Sequence, residues 1–143
     1  MIQLQIFKEQ QIRLPRKMIY KLFENIYSRE LSKKSQGVLN LIFSDDTRLK
    51  ELNTKFRDKN TATDVLSFNI EEPTDTDAVY GEIYISVPTA RKQANDYNAP
   101  ISEEIIRLCC HGFLHLLGYD HINAEDAKIM QTKEKKYLTK VYA

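Results

Sequence analysis

The stretch His111-Gly112-Phe113-Leu114-His115-Leu116-Leu117-Gly118-Tyr119-Asp120-His121 holds all three histidines of the protein within eleven positions. His111 and His115 are four residues apart, so on a helix they lie on one face about one turn from each other. Gly118 comes three residues after His115. Glycine takes the left-handed backbone cheaply and so can end that helix. The chain then turns and delivers His121. Three neutral imidazoles converging on one point make a metal site with an open coordination position, the usual arrangement for catalytic zinc.

The residues before and within this stretch predict the helix that carries it. Ile105, Ile106, Leu108, Cys109, Cys110, Phe113, Leu114, Leu116 and Leu117 cover most of the circumference. A helix apolar nearly all round is buried on most sides. Glu104, Arg107, His111 and His115 recur at spacings of three and four and form one polar stripe, which needs partners. A metal would serve His111 and His115 directly. Hydrogen-bonded core histidines and a structural zinc site are the alternatives, although structural zinc normally takes four ligands, often cysteines. The two cysteines here are adjacent on the helix, point about 100° apart, and read as buried reduced thiols.

Working outward, Ile2, Leu4 and Ile6 alternate with Gln3 and Gln5 as in a half-buried strand. Pro15 suits the first turn of a helix, with Ile19, Leu22, Phe23 and Ile26 at helical spacing. Arg16, Lys17, Lys21, Lys33 and Lys34 give this region a basic face, solvated by default and RNA-facing as the sharper alternative. Val38 to Phe43 reads as a strand, followed by capping residues Ser44, Asp45 and Asp46 and a short helix marked by Leu49, Leu52 and Phe56. The polar run from Arg57 to Ala62 reads as a loop. Val65 to Ile70 is a strand, and Ile83, Ile85 and Val87 mark another. The acidic segment from Glu71 to Asp77 lies between them, as in a hairpin with a long loop. Pro88 ends the strand, and Ala90 to Tyr97 is a short helix. Asn98 to Pro100 breaks it, and Ser102 is placed to cap the histidine helix. Asn123 is placed to cap a last helix with Ala127, Met130, Tyr137 and Leu138 as its apolar stripe.

The order is βαβαββααα. It implies an α/β (α+β layered) domain over 1–143, in which a small mixed sheet of about four strands packs with helices around the central buried one. At 143 residues the chain is long enough to bury a real core. With 42% hydrophobic and 29% charged residues and a net charge of +1, nothing pushes it globally toward nucleic acid. No apolar run approaches a membrane span and the N-terminus lacks a signal-peptide pattern, so a cytoplasmic protein with no membrane partner is expected.

The spacing H-x-x-x-H-x-x-G-x-x-H is shared with metzincin proteases. There the residue after the first histidine is the Glu that acts as general base. Here it is Gly112, which argues against protease chemistry and places a small residue beside the expected metal, where a phosphate can approach. HGFLHLLGYDH resembles the signature of the YbeY family of metal-dependent endoribonucleases, the rRNA maturation factors. Arg57 with Thr63-Asp64-Val65-Leu66-Ser67-Phe68 is similar to its second motif and Gly81 to Ser86 to its third. Glu125 and Met130 fall where the family's final helix carries similar residues. The matched region runs from about 53 to 134, with the N-terminal third matching in pattern only. Ala62 stands where the family often has Pro, and Glu82 where it often has Asp.

The resemblance implies one zinc ion, Zn(2+), held by His111, His115 and His121, with Arg57 in the active cleft. It further implies single-strand-specific cleavage in 16S rRNA 3′-end maturation and ribosome quality control. RNA and the ribosomal small subunit would be the partners, with ribosomal proteins or assembly GTPases beside them. Arg57 suits a phosphate clamp, since its planar fork matches phosphate oxygens. Asp120 is a candidate for proton transfer at metal-bound water, or else orients a histidine or serves the turn; Asp64 is a lesser one that orients a histidine or caps a turn, with Glu82 and Glu125 behind them. A non-catalytic assembly factor with a structural metal, and a metal hydrolase of another substrate, are the competing readings.

Overall fold

The computed structural model of the protein describes residues 2–31, 37–57 (the Arg57 side chain excepted), 63–69 and 81–143. The elements are β1 (Ile2–Lys8), α1 (Arg16–Glu30), β2 (Gly37–Ser44), α2 (Asp46–Arg57), β3 (Val65–Asn69), β4 (Gly81–Ser86), α3 (Val87–Asp96), α4 (Ile101–Leu116) and α5 (Ala124–Val141). This is the βαβαββααα order that the hydrophobic periodicities predict. The four strands form one mixed sheet in the order β1-β2-β4-β3. β1 and β2 are parallel, as are β2 and β4, and β3 pairs antiparallel with β4. The parallel pair bridged by a helix and the antiparallel pair therefore both form as expected.

The pleat sorts the side chains into two cores. Leu39, Leu41 and Phe43 of β2 and Ile83 and Ile85 of β4 point to one face, where they meet Ile19, Leu22, Phe23 and Ile26 of α1 and most of α4. Ile42, Leu66 and Tyr84 point to the other, where Leu49 and Leu52 of α2 cover them. α4 touches α1, α3, α5, β3 and β4. Its apolar circumference follows from that position: Ile105, Ile106, Cys109, Cys110, Phe113 and Leu114 are fully buried.

Gly112 sits where α4 crosses the sheet. A Cβ there would lie 2.8 Å from Ile83 Cγ2 and 3.3 Å from Ile83 Cδ1. The expectation that Gly112 opens space beside a metal is therefore corrected. Its hydrogen atoms face β4, and glycine is what lets α4 approach the strands this closely. Ser67 Oγ also donates to the Gly112 carbonyl at 3.4 Å, a further sign of that close approach.

Three boundaries differ from the sequence reading, each for a local reason. Val87 belongs to α3, not β4, because Ser86 caps the helix by accepting from Thr89 N at 3.3 Å and Pro88 occupies its first turn. α4 starts at Ile101 with Pro100 in the capping position, so Ser102 is helical and not a cap. Arg57 closes α2 instead of opening a loop. Asn98, in the expected break, takes a positive φ of 51°. Asn123 caps α5 as expected, accepting from Asp126 N at 2.8 Å. Lys33, Lys34, the loop over 58–62 (with Ala62), Ile70 and the acidic segment 71–77 lie outside the described residues.

Candidate metal centre

The polar stripe of α4 finds its partners one by one. Glu104 is buried and accepts from Arg107 Nε at 2.5 Å. His111 Nδ1 lies 2.9 Å from Glu134 Oε1 of α5, with only 24% and 20% of the two side chains exposed. The contact uses Nδ1, so Nε2 is the ring nitrogen that Glu134 does not engage. His115, one turn on, is half-buried like His111, and His121 is exposed.

The end of α4 brings the third histidine back. Gly118 takes φ of 101°. Its N–H donates to His115 O at 3.0 Å, and the Tyr119 N–H reaches Leu114 O at 3.2 Å. These two bonds are those of a Schellman cap with glycine just past the helix, which turns the chain sharply back. The Tyr27 hydroxyl of α1 donates to Phe113 O at 3.2 Å and satisfies a last-turn carbonyl. Tyr119 then anchors the turn by donating to Glu30 Oε1 at 2.9 Å. Lys133 Nζ joins that carboxylate at 3.2 Å. Burial raises the Glu30 pKa, but the Tyr119 hydroxyl and the Lys133 ammonium outweigh it and hold the carboxyl below its ordinary value. Asp120 Oδ1 accepts from the His121 N–H at 2.7 Å, which places Asp120 in the turn itself.

The result is a triangle of imidazoles. Ring centroids are 5.9 Å apart for His111 and His115, 5.6 Å for His111 and His121 and 6.2 Å for His115 and His121. Rings that share one zinc at ~2.0–2.1 Å have centroids roughly 5 Å apart. The triangle is somewhat wider than that, and among the described residues no three His, Cys, Asp or Glu side chains stand at the spacing of a closed metal site. The donor set fits a metal chemically. It offers three imidazoles, graded from half-buried to exposed, and Nδ1 of one ring is already engaged by a carboxylate, a common partner of ligating histidines.

The remaining candidates have local partners or lie partly outside the described residues. Asp64 Oδ2 accepts from Gln93 Nε2 at 3.3 Å, and its carbonyl takes the Ser86 N–H at 3.0 Å, so it serves the junction of β3 and α3. Glu82 lies on the α2 face, where it lines a groove with Phe56, Phe68 and Tyr84, across the sheet from α4. Glu125 is exposed in the first turn of α5. Arg57 has its backbone at the end of α2, and its side chain is outside the described residues. Cys109 and Cys110 are free and buried, and burial pushes the Cys110 thiol up to about 12.

Sequence reasoning missed Glu134, and a signal for it exists. Met130, Tyr137 and Val141 are the buried stripe of α5. Glu134 falls on that stripe, four residues after Met130 and three before Tyr137. An acid on a buried stripe must have a partner.

A four-stranded mixed sheet, a buried helix across one face and a histidine triangle at that helix's end define a small α+β protein with a candidate metallohydrolase site. The model of the family "Endoribonuclease YbeY" matches residues 5–142. A relative from Desulforamulus reducens, named Endoribonuclease YbeY, is 39% identical over 134 residues, covering 86% of each chain. One of the same name from Bacillus thuringiensis is 36% identical over 141 residues, covering 92% of this chain and 86% of its own. The solution structure of a Thermotoga maritima protein superposes with a TM-score of 0.65 at 31% identity, covering 97% of this chain and 89% of that one. The chain belongs to the YbeY endoribonuclease family. The match takes in the N-terminal part as well as the region from 53 onward. Among the described residues no helix is long and apolar enough to cross a membrane.

Proposed function

We propose that this protein is a zinc-dependent endoribonuclease acting on single-stranded RNA, with the 3′ end of 16S rRNA as its substrate. His111, His115 and His121 would hold one zinc ion. The observation that carries this reading is the histidine triangle, with sides of 5.6 to 6.2 Å, in a chain of an endoribonuclease family. When bound, such a metal supplies Lewis acidity toward a phosphodiester oxygen and an attacking water.

The chain's own residues do the rest. Arg57 would bind the phosphate in its guanidinium fork and hold the charge that grows in the transition state. Asp120 keeps His121 in place through the His121 N–H and adjoins the cluster as a carboxylate able to take a proton. The protease alternative loses its general base twice over. Gly112 has no side chain, and its position faces Ile83 instead of the histidines. Ribosomal small-subunit proteins and assembly GTPases are the partners this role implies, in the cytoplasm.

The test is cleavage of an unstructured RNA oligonucleotide, the same sequence in a duplex, and a peptide. Cleavage of the single strand alone, lost on chelation and restored by zinc, is the expected result. Arg57→Glu is expected to lower cleavage without changing metal content. Cleavage of the peptide but not the RNA would overturn the proposal.

A further inference from the structure

We propose that Glu134 is the positioning residue of the histidine cluster: its carboxylate fixes the tautomer and orientation of His111, so that Nε2 is the nitrogen presented to the metal.

Three observations point the same way. The contact is a hydrogen bond of good length, 2.9 Å between His111 Nδ1 and Glu134 Oε1, in partly buried surroundings. Charge-assisted bonds shielded from water are the stronger class. The packing of α5 forces the meeting. Met130, Tyr137 and Val141 are 2%, 0% and 3% exposed, so their stripe sets the rotation of α5 about its axis. Glu134 shares that stripe and is carried toward α4. On the other side, the adjacent Lys133 turns to Glu30, which it bonds at 3.2 Å, while Glu134 turns to His111.

The consequence is a division of labour between adjacent residues of α5. Lys133, through Glu30, braces the Tyr119 turn that returns His121. Glu134 braces the first histidine. An imidazole without such a partner exchanges its hydrogen between two nitrogens and rotates about its side-chain bonds. Both freedoms must be given up on binding a metal, which weakens affinity.

The part of the proposal that concerns affinity rests on His111 being a metal ligand, whereas the part that concerns the tautomer does not. The test therefore has two arms on the full chain, with wild type, Glu134→Gln and Glu134→Ala, each first checked for an unchanged thermal transition without metal. In the first arm, long-range proton–nitrogen spectra of chelator-treated, histidine-labelled protein report the His111 tautomer. The Nδ1–H form is expected in wild type, and a mixture of tautomers in Glu134→Ala. In the second arm, zinc affinity is read by competition with a chromophoric chelator. Glu134→Ala is expected to bind about 10- to 100-fold more weakly. Glu134→Gln, which keeps an acceptor oxygen, is expected to fall between the two. A wild-type ring in the Nε2–H form, or equally tight zinc binding by all three proteins, would overturn the proposal. Failure of the metal reading looks different, with no zinc taken up by wild type or by either variant.

Discussion

Replacing Gly112 by alanine tests whether α4 is held against the strands as closely as its geometry implies. In an ordinary helix interior this change stabilises by about 1 kcal/mol through backbone entropy. Here the added Cβ meets Ile83 Cγ2 at 2.8 Å, closer than real side-chain carbons approach. Ile83 is fully buried in β4, and its branched Cβ leaves little rotamer freedom to yield. Overpacking of this kind costs about 1–3 kcal/mol. The net expectation is destabilisation of roughly 1 kcal/mol, a fall of about 3 °C in the thermal midpoint for a chain of this size. The sign can be checked by a cycle. Ile83→Ala removes both clashing carbons at a cost of about 2–5 kcal/mol. In that background Gly112→Ala is expected to recover its ordinary helix benefit of about 1 kcal/mol. Thermal or urea melts of the four proteins give the coupling. If Gly112→Ala alone raises stability by about 1 kcal/mol, the close approach is refuted. Gly112→Glu, which would complete a protease-like triplet, is expected to abolish folding without giving peptidase activity, because a carboxylate would be driven into the apolar interface.

Two further outcomes follow from the turn that delivers His121. Gly118→Ala meets no steric obstacle but forces a residue with a Cβ into φ of 101°, so it is expected to cost about 1–2 kcal/mol and weaken zinc binding. Circular-dichroism melts and chelator competition check both effects. The Glu30 carboxyl is held below its ordinary value of 4.5, so its stabilising effect is present above that pH and is lost as pH falls through the lowered folded value. Glu30→Gln is therefore expected to be less stable than wild type near neutrality and to lose less stability on acidification. Melts over an acid pH series that run parallel for the two proteins would contradict this.

Much of the architecture is legible in local pattern because its causes are local. The circumference of α4 shows burial on most sides, and the period of two in β1 shows a half-buried strand. The positions of His111, His115 and Gly118 follow from helical spacing and one glycine's backbone freedom. What stays hidden depends on how distant elements rotate against each other. Glu134 lies 23 positions from His111, and the stripe of Met130 and Tyr137 on which it falls does not by itself show that α4 is its neighbour. Gly112 looked like space for a substrate because spacing alone does not show which way a glycine faces. The partner of Asp64 is hidden in the same way, since Gln93 stands 29 positions away on α3. The α3 start was legible and missed, since Ser86-Val87-Pro88-Thr89 is itself a capping sequence with proline in the first turn.

The proposed function makes metal binding and RNA cleavage depend on the same three histidines. Its most direct test is the metal content of purified wild type and His111→Ala, measured per chain and paired with cleavage of single-stranded RNA by the same samples. One equivalent of zinc and cleavage in wild type, with both lost in a His111→Ala protein that remains folded, is the predicted result. A wild-type protein that cleaves RNA with no stoichiometric metal, or a folded His111→Ala protein that keeps both metal and cleavage, would contradict it.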